Sequence, residues 1–326
     1  MLNDLGPAID RLAAIEPWKG IPADGAFPNF LGVQTAWEFV EKHAPSNVQL
    51  NAKGVGHPVA TEAPTVSDGE AFFEFASIEA AVSAARDRFI MVELGGGFGA
   101  RTVDAHAALQ RLNPMPSQYV VVEAEPTHFE WVKRHMQANG IDPAEHWLLN
   151  AFVSDKSHPL LFMIGSGLYY NTAVTPQDIE NVVEQVEQMG ASSTVLGNVL
   201  RSGRCGVQET YSSDAGDHQF EFGFVSALTL PDILGPLPHV DLMDVDVQGA
   251  ETTIFLPALE QLDRKVHRLH IGTHGAPVHE LLLELFEKMG WRCVYSYAGR
   301  SEHDTDWGHF KTSDGILHVV NPRFCS

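Results

Sequence analysis

A chain of 326 residues, 44% hydrophobic and 19% charged, has globular composition and enough apolar material for one large domain or a domain with an appendage. Its formal net charge of −21 repels nucleic-acid phosphates and anionic lipid headgroups, so no nucleic-acid or membrane partner is expected. No stretch approaches ~18 uninterrupted apolar residues, and the N-terminus MLNDLGPAIDRLAAIEPW lacks a basic segment ahead of an apolar one, which excludes a signal peptide from the expectation.

The three cysteines, Cys205, Cys293 and Cys325, are too far apart in sequence for a metal-spaced pair and read as thiols of a reducing, cytoplasmic compartment. The first 75 residues carry two short helical patterns, NDLGPAIDRLAAIEPW and QTAWEFVEKHA, the second with Ala36, Phe39 and Val40 on one face. Loops rich in Pro and Gly surround them. Residues 1–75 therefore read as an N-terminal accessory segment, a candidate lid. Its Phe27, Phe30 and Trp37 are expected to pack against the main domain, with a lid surface or a homo-oligomer contact as the alternatives.

From residue 76 to 326 helices and strands alternate. SIEAAVSAARDR is helical, FIMVEL a strand, ARTVDAHAALQRL a helix, QYVVVEAE a strand. THFEWVKRHMQANG is a helix with Thr127 as N-cap and Gly140 as stop, and HWLLNAFVSD is the third strand. Later come the strand VDLMDVDV, the helix GAETTIFLPALEQL, the strand HRLHIGTH, the helix VHELLLELFEKMG, and two strands, WRCVYSYAG and GILHVVNP. This alternation predicts a parallel sheet wound by right-handed crossovers, and the last two strands, with no helix between them, predict an antiparallel edge. Residues of about 155–225 interrupt the pattern with a helix in PQDIENVVEQVEQMG. In such sheets ligands sit beyond the carboxyl ends of the strands, so an insertion after the third strand is placed to cover the acceptor pocket.

The chemistry concentrates at the strand ends. FIMVEL runs into a glycine turn that fits two patterns: a loose dinucleotide fingerprint, Gly95, Gly97 and Ala100, or the E-x-G-x-G-x-G loop of S-adenosylmethionine (SAM) enzymes, Glu93, Gly95, Gly97 and Gly99. Glu93 would repel a pyrophosphate and suit the sulfonium and ammonium of SAM. At the end of the next strand, Glu123 and Glu125 share a face, and an acid there accepts hydrogen bonds from ribose hydroxyls. Glu125, nearer the tip, is the preferred candidate, with Glu123 a bridging or solvated carboxylate. Asn150 and Ala151 stand where an adenine edge would sit. In VDLMDVDVQGAE, Asp244 and Asp246 leave an apolar strand just before the Gly249 turn, where buried acids are costly unless they are used. His274, at the end of the fifth strand, is a candidate general base, or a divalent-metal ligand with Asp244 and Asp246. His267 and His270 lie earlier in that strand and read as structural.

These pieces in this order resemble the FkbM-type family of SAM-dependent methyltransferases. The matching stretches are VELGGGFG, VEAEPTHFEWVKRHMQANG, LLNAFVSD, LTLPDIL and VDLMDVDVQGAE, spanning about residues 85 to 297. The last is the most specific: family members carry a strand ending in Asp-x-(Glu/Gln)-Gly-Ala-Glu, matched by Asp246, Gly249, Ala250 and Glu251. The resemblance implies a class I methyltransferase (Rossmann-like) three-layer sandwich, with a seven-stranded, mostly parallel sheet whose last strand is antiparallel. It also implies SAM as cofactor, held by Glu93, Gly95, Gly97, Glu125 and Asn150, and a small-molecule acceptor methylated on a hydroxyl of a sugar or natural product. One departure stands out: many members have lysine where this chain has Asp244. An Asp244–His274 pair, or a metal, is then the expected substitute.

Overall fold

The computed structural model describes residues 6–40, 56–164, 209–213 and 216–324. The helix expected at PQDIENVVEQVEQMG, and Cys205 and Cys325, lie outside them. Seven strands build the central sheet: β1 (Phe89–Leu94), β2 (Ser117–Glu123), β3 (Trp147–Asn150), β4 (Leu242–Val245), β5 (Arg268–Thr273), β6 (Arg292–Tyr297) and β7 (Gly315–Val320). Their order is β3-β2-β1-β4-β5-β7-β6. β1 to β5 pair in parallel, and β7 runs antiparallel to both β5 and β6. This is the sheet of the class I methyltransferase (Rossmann-like) fold. The chain builds outward from β1 to β3, then returns to β4 on the other side, so the topological switch point lies between β1 and β4.

The last two strands form the expected antiparallel pair at one edge of the sheet. The last strand is antiparallel but lies inside the sheet, and β6 forms the edge. A hairpin of Ser301–Thr305 with Gly308–Thr312 turns the chain back, and GILHVV, buried at every position, slots between β5 and β6. An apolar run of that kind belongs in a covered central position.

Alternation within the strands sends side chains into two separate cores. Phe89 and Met91 of β1 face helices α1 (Gly6–Ala13), α2 (Glu70–Ala84), α3 (Ala100–Leu112) and α4 (Pro126–Ala138). Ile90, Val92 and Leu94 face α5 (Leu230–Leu234), α6 (Glu251–Phe255), α7 (Leu259–Lys265) and α8 (Ala276–Lys288). Helices on both faces of one sheet complete the three layers. Among the described residues, no helix is long and apolar enough to cross a membrane.

The N-terminal residues differ from expectation. α1 forms as read, but Gln34–Ala36 is a short strand paired with Ala26–Pro28, followed by a 3-10 turn at Trp37–Phe39. The reason is tertiary: the backbone N–H of Gln34 donates to the Asn139 side chain, whose amide donates back to the Gln34 carbonyl. The boundary expected at residue 75 falls inside α2, which starts at Glu70. Ala8, Leu12, Phe30 and Leu31 share a core with α2, and Phe30 meets Phe75 edge-on at 4.7 Å. Phe27 and Trp37 pack on each other, half-buried. The third strand also splits: after β3, Phe152–Ser154 leaves the sheet to pair in parallel with Ala227–Thr229.

Candidate active site

A cavity of about 310 Å³ opens over the carboxyl ends of β1, β2, β4 and β5, the place where sheets of this topology bind ligands. The glycine turn forms its floor. Gly95, Gly97 and Gly99 all have positive φ, at 78°, 54° and 74°. At Gly95 a side chain is impossible, because a Cβ would lie 1.8 Å from the Asp246 carbonyl oxygen. The turn therefore packs directly on the end of β4, joining the two strands that flank the switch point. Gly99 is the left-handed N-cap of α3 and does not line the cavity. Its role is to start the helix.

Glu93 lines the cavity, and its carboxylate accepts the Arg101 and Thr102 backbone N–H groups at 3.2 and 3.0 Å. It thus ties the first turn of α3 to the end of β1, and burial raises its pKa. Glu123, the last residue of β2, accepts the Gly97 N–H and the Glu125 N–H, both at 2.7 Å. It is buried and bridging, and burial pushes it up to about 8. Glu125, rather than Thr127, caps α4, accepting the His128 N–H at 2.7 Å, and it lines the cavity beside Glu123. Asn150 is placed differently from expectation. Its amide donates to the Glu123 and Ala124 carbonyls at 2.9 and 3.1 Å, and Ala151, Phe152 and Val153 line the cavity in its stead. Asn150 shapes the turn that presents Glu125.

At the other end, Asp246 lies half-exposed at the cavity wall. Gln248 adopts a left-handed φ of 51°, and its amide reaches back to Asp246 at 2.7 Å. A non-glycine residue held there stores backbone strain of ~1–3 kcal/mol, a pattern concentrated at functional positions. His274 does not line the cavity. Its Nδ1 bonds the fully buried Glu251 at 2.6 Å, and its Nε2 faces Asp246 at 3.4 Å and Asp314 at 3.8 Å. Burial opposes charge on this imidazole, but the Glu251 bond, Asp246 and Asp314 outweigh it and raise its pKa. Glu251, in the first turn of α6, also accepts the Gly249 N–H at 3.1 Å. Among the described residues, no three His, Cys, Asp or Glu side chains are arranged to hold a metal ion, so the Asp244–Asp246–His274 metal set does not form.

Glu74, Arg101 and His318 escaped the sequence, as did the row that holds two of the acids it named. Register places Glu93, Asp244, His270, His318 and Tyr295 in one transverse row across five strands, beneath α2. Ser77 of α2 meets His270 Nδ1 at 2.9 Å, and burial lowers His270 to about 3. Arg101 of α3 contacts Glu74 at 2.6 Å and Asp104 at 3.5 Å. Burial pushes both acids up to about 7. A cation in the first turn of a helix opposes the helix dipole, and that mismatch was the one sequence signal that could have marked Arg101.

No protein-family model matches the chain, and no curated protein matches it. Several solved structures are distantly similar to it. A methyltransferase FkbM from Methylobacillus flagellatus is 9% identical, with a TM-score of 0.41, over 72% of this chain and 45% of that one. This chain thus spans less than half the length of that relative. A precorrin-6Y C5,15-methyltransferase from Geobacter metallireducens is 9% identical, TM-score 0.38, over 76% and 87%. TrmK of M. capricolum, in complex with S-adenosylhomocysteine, is 8% identical, TM-score 0.32, over 75% and 67%. Likeness at this level concerns the fold and says nothing of activity.

Proposed function

We propose that this chain is a SAM-dependent methyltransferase of FkbM type that methylates a hydroxyl on a sugar or natural-product small molecule. The observation that carries the reading is the set of three carboxylates, Glu93, Glu123 and Glu125, around the glycine turn. A pyrophosphate would gain nothing from acids that are either like-charged or, like Glu123, already engaged by backbone N–H groups, whereas a sulfonium and an ammonium gain from each one that ionises. A nicotinamide oxidoreductase, the rival on the same turn, is disfavoured for that reason. The residues fit SAM: the Gly95–Gly97 backbone can approach closely, Glu125 stands where ribose hydroxyls need an acceptor, and Ala151 to Val153 offer an apolar wall. When bound, SAM supplies a methyl group on a good leaving group.

The chain's own residues then position and deprotonate. Asp246, open to the cavity and steadied by Gln248, is the base for the acceptor hydroxyl. His274 acts through Asp246 as a positioning residue, held by Glu251. Most of the acceleration comes from holding two reactants together, and the base adds ~10²–10⁴. Phe162, from the described part of the insertion, lines the cavity and supports its role as a pocket cover. Titration calorimetry with S-adenosylhomocysteine and NAD in parallel tests the reading. S-adenosylhomocysteine is expected to bind saturably and NAD not at all, and Glu125→Gln weakens the former by about tenfold. Binding of NAD alone overturns it.

A further inference from the structure

The acceptor end of the cavity is rich in acids. Five carboxyl side chains, Glu70, Glu74, Asp244, Asp246 and Asp314, line it with one guanidinium, Arg101, among the described residues. Arg101 is already committed to Glu74 and Asp104. Asp246 is held by Gln248, and Glu70 accepts the Ser313 and Asp314 N–H groups at 2.7 and 3.0 Å. Asp244 is different. It is 9% exposed, lies on the cavity wall, and accepts no hydrogen bond from any described residue. A carboxyl so placed is costly to ionise unless a cation or donor meets it from the cavity, and the Arg101 charge nearby offsets its burial only in part. SAM over the glycine turn would bring its positive charge to Glu93, Glu123 and Glu125 and leave Asp244 to another group.

We propose that the methyl acceptor is cationic, an amine-bearing sugar or alcohol whose ammonium group is held by Asp244, with Glu70, Glu74 and Asp314 around it. The inference rests on the methyltransferase reading and names its substrate class. Geometry supports the assignment. Asp244 sits in register between Glu93 of β1 and His270 of β5, at the switch point, and two residues before the proposed base. An ammonium there anchors one part of the acceptor while a neighbouring hydroxyl faces Asp246. The charge on the ammonium also favours the ionised carboxyl. Since burial holds Asp244 well above the usual carboxylate range, binding of an amine is accompanied by release of a proton, which binding of a neutral ligand does not require.

The test uses matched pairs on the full chain, with and without saturating S-adenosylhomocysteine: glucosamine against N-acetylglucosamine, and putrescine against butane-1,4-diol. Binding is read by saturation-transfer NMR, and proton release by calorimetry in two buffers of different ionisation enthalpy. The cationic member of at least one pair is expected to bind about tenfold more tightly than its neutral partner, releasing protons. Asp244→Asn is expected to remove that preference, and Asp244→Glu to restore it in part. Equal binding within both pairs, binding of neither amine, or a preference that survives Asp244→Asn overturns the inference. Failure of S-adenosylhomocysteine to bind instead overturns the methyltransferase reading, and the amine arm without it is read separately.

Discussion

The two ends of the crevice hold their acids in different ways. Toward β2, Glu93, Glu123 and Glu125 each accept backbone N–H groups, from Arg101, Thr102, Gly97, Glu125 and His128. Toward β5, Asp246 and Glu74 are held by side chains, and Asp244 accepts no hydrogen bond from a described residue. Glu70, fastened to the backbone of the loop before β7, is the exception there. Backbone donors are fixed by the fold, so the β2 end is a preformed shape. The β5 end has acids without such backbone donors, Asp244 above all. A site for a constant cofactor gains from the first, and a site that must recognise a particular acceptor gains from the second.

The largest way to break the comparison is Gly95→Val. The new side chain meets the Asp246 carbonyl and needs a left-handed φ, so the β2 end loses its shape while the acids at the β5 end remain. The cost is about 3 kcal/mol or more. A large drop in melting temperature, with no S-adenosylhomocysteine binding, is expected. A stable variant that binds normally would show that the turn does not pack on β4 as described. Next is Asp246→Asn, which leaves the β2 end intact. With an acceptor from the amine screen, kcat is expected to fall ~10²–10⁴, while the Kd of S-adenosylhomocysteine holds. A His274→Asn variant, acting through Asp246, should lose less and shift the pH profile of kcat.

The sequence revealed the preformed end far better than the charged one. FIMVEL and ARTVDAHAALQRL coincide with β1 and α3 residue for residue, because local periodicity and the glycine turn bound them on both sides. The acids at the end of β2 were legible from their strand position. The row through Glu93, Asp244, His270 and His318 was not, because it depends on register between strands far apart in sequence, Glu93 and Asp244 by about 150 residues, which no local pattern carries. Glu74 and Arg101 meet across two helices for the same reason. Where the reading failed locally, at QTAWEFVEKHA, an apolar helical face was overridden by pairing with Ala26–Pro28 and by Asn139. Asn150 was assigned by position alone, and its amide instead serves the backbone of the neighbouring turn.

A smaller effect separates the two ends by pH. Burial lifts Glu123 from 4.5 to about 8, and Glu74 and Asp104 to about 7. Each raised acid binds its proton more tightly folded than unfolded. Stability is therefore highest below the unfolded pKa and falls as pH rises toward the folded one. Unliganded protein is expected to lose stability from pH 5 to 8, by at most about 1.4 kcal/mol per unit for each such group. Above about pH 7 the slope belongs to Glu123 and to Asp244, which burial also holds high, so Glu123→Gln should flatten part of it, and denaturant titrations at several pH values measure this. A slope unchanged in the variant would place the titrating acids at the β5 end instead.

The smallest expected effect asks whether the N-terminal segment belongs to the preformed end. Phe39 stacks on Phe98 of the glycine turn at 5.6 Å and packs on Trp131 of α4 at 5.2 Å. His135 completes the contact, meeting the Phe98 carbonyl through Nδ1 at 3.1 Å and the Thr35 hydroxyl through Nε2 at 3.3 Å. The described residues ahead of α2 thus press on the outside of the turn without lining the cavity. Phe39→Leu keeps the volume close and removes the aromatic contact, a loss of about 0.5–1.5 kcal/mol. If the segment braces the turn, part of that loss appears in cofactor affinity, and S-adenosylhomocysteine binding weakens by up to about threefold with little change in amine binding. If affinity is unchanged and only the melting temperature falls, the segment supports the core alone, and the rigidity of the turn comes from Glu93, Glu123 and the β4 carbonyl.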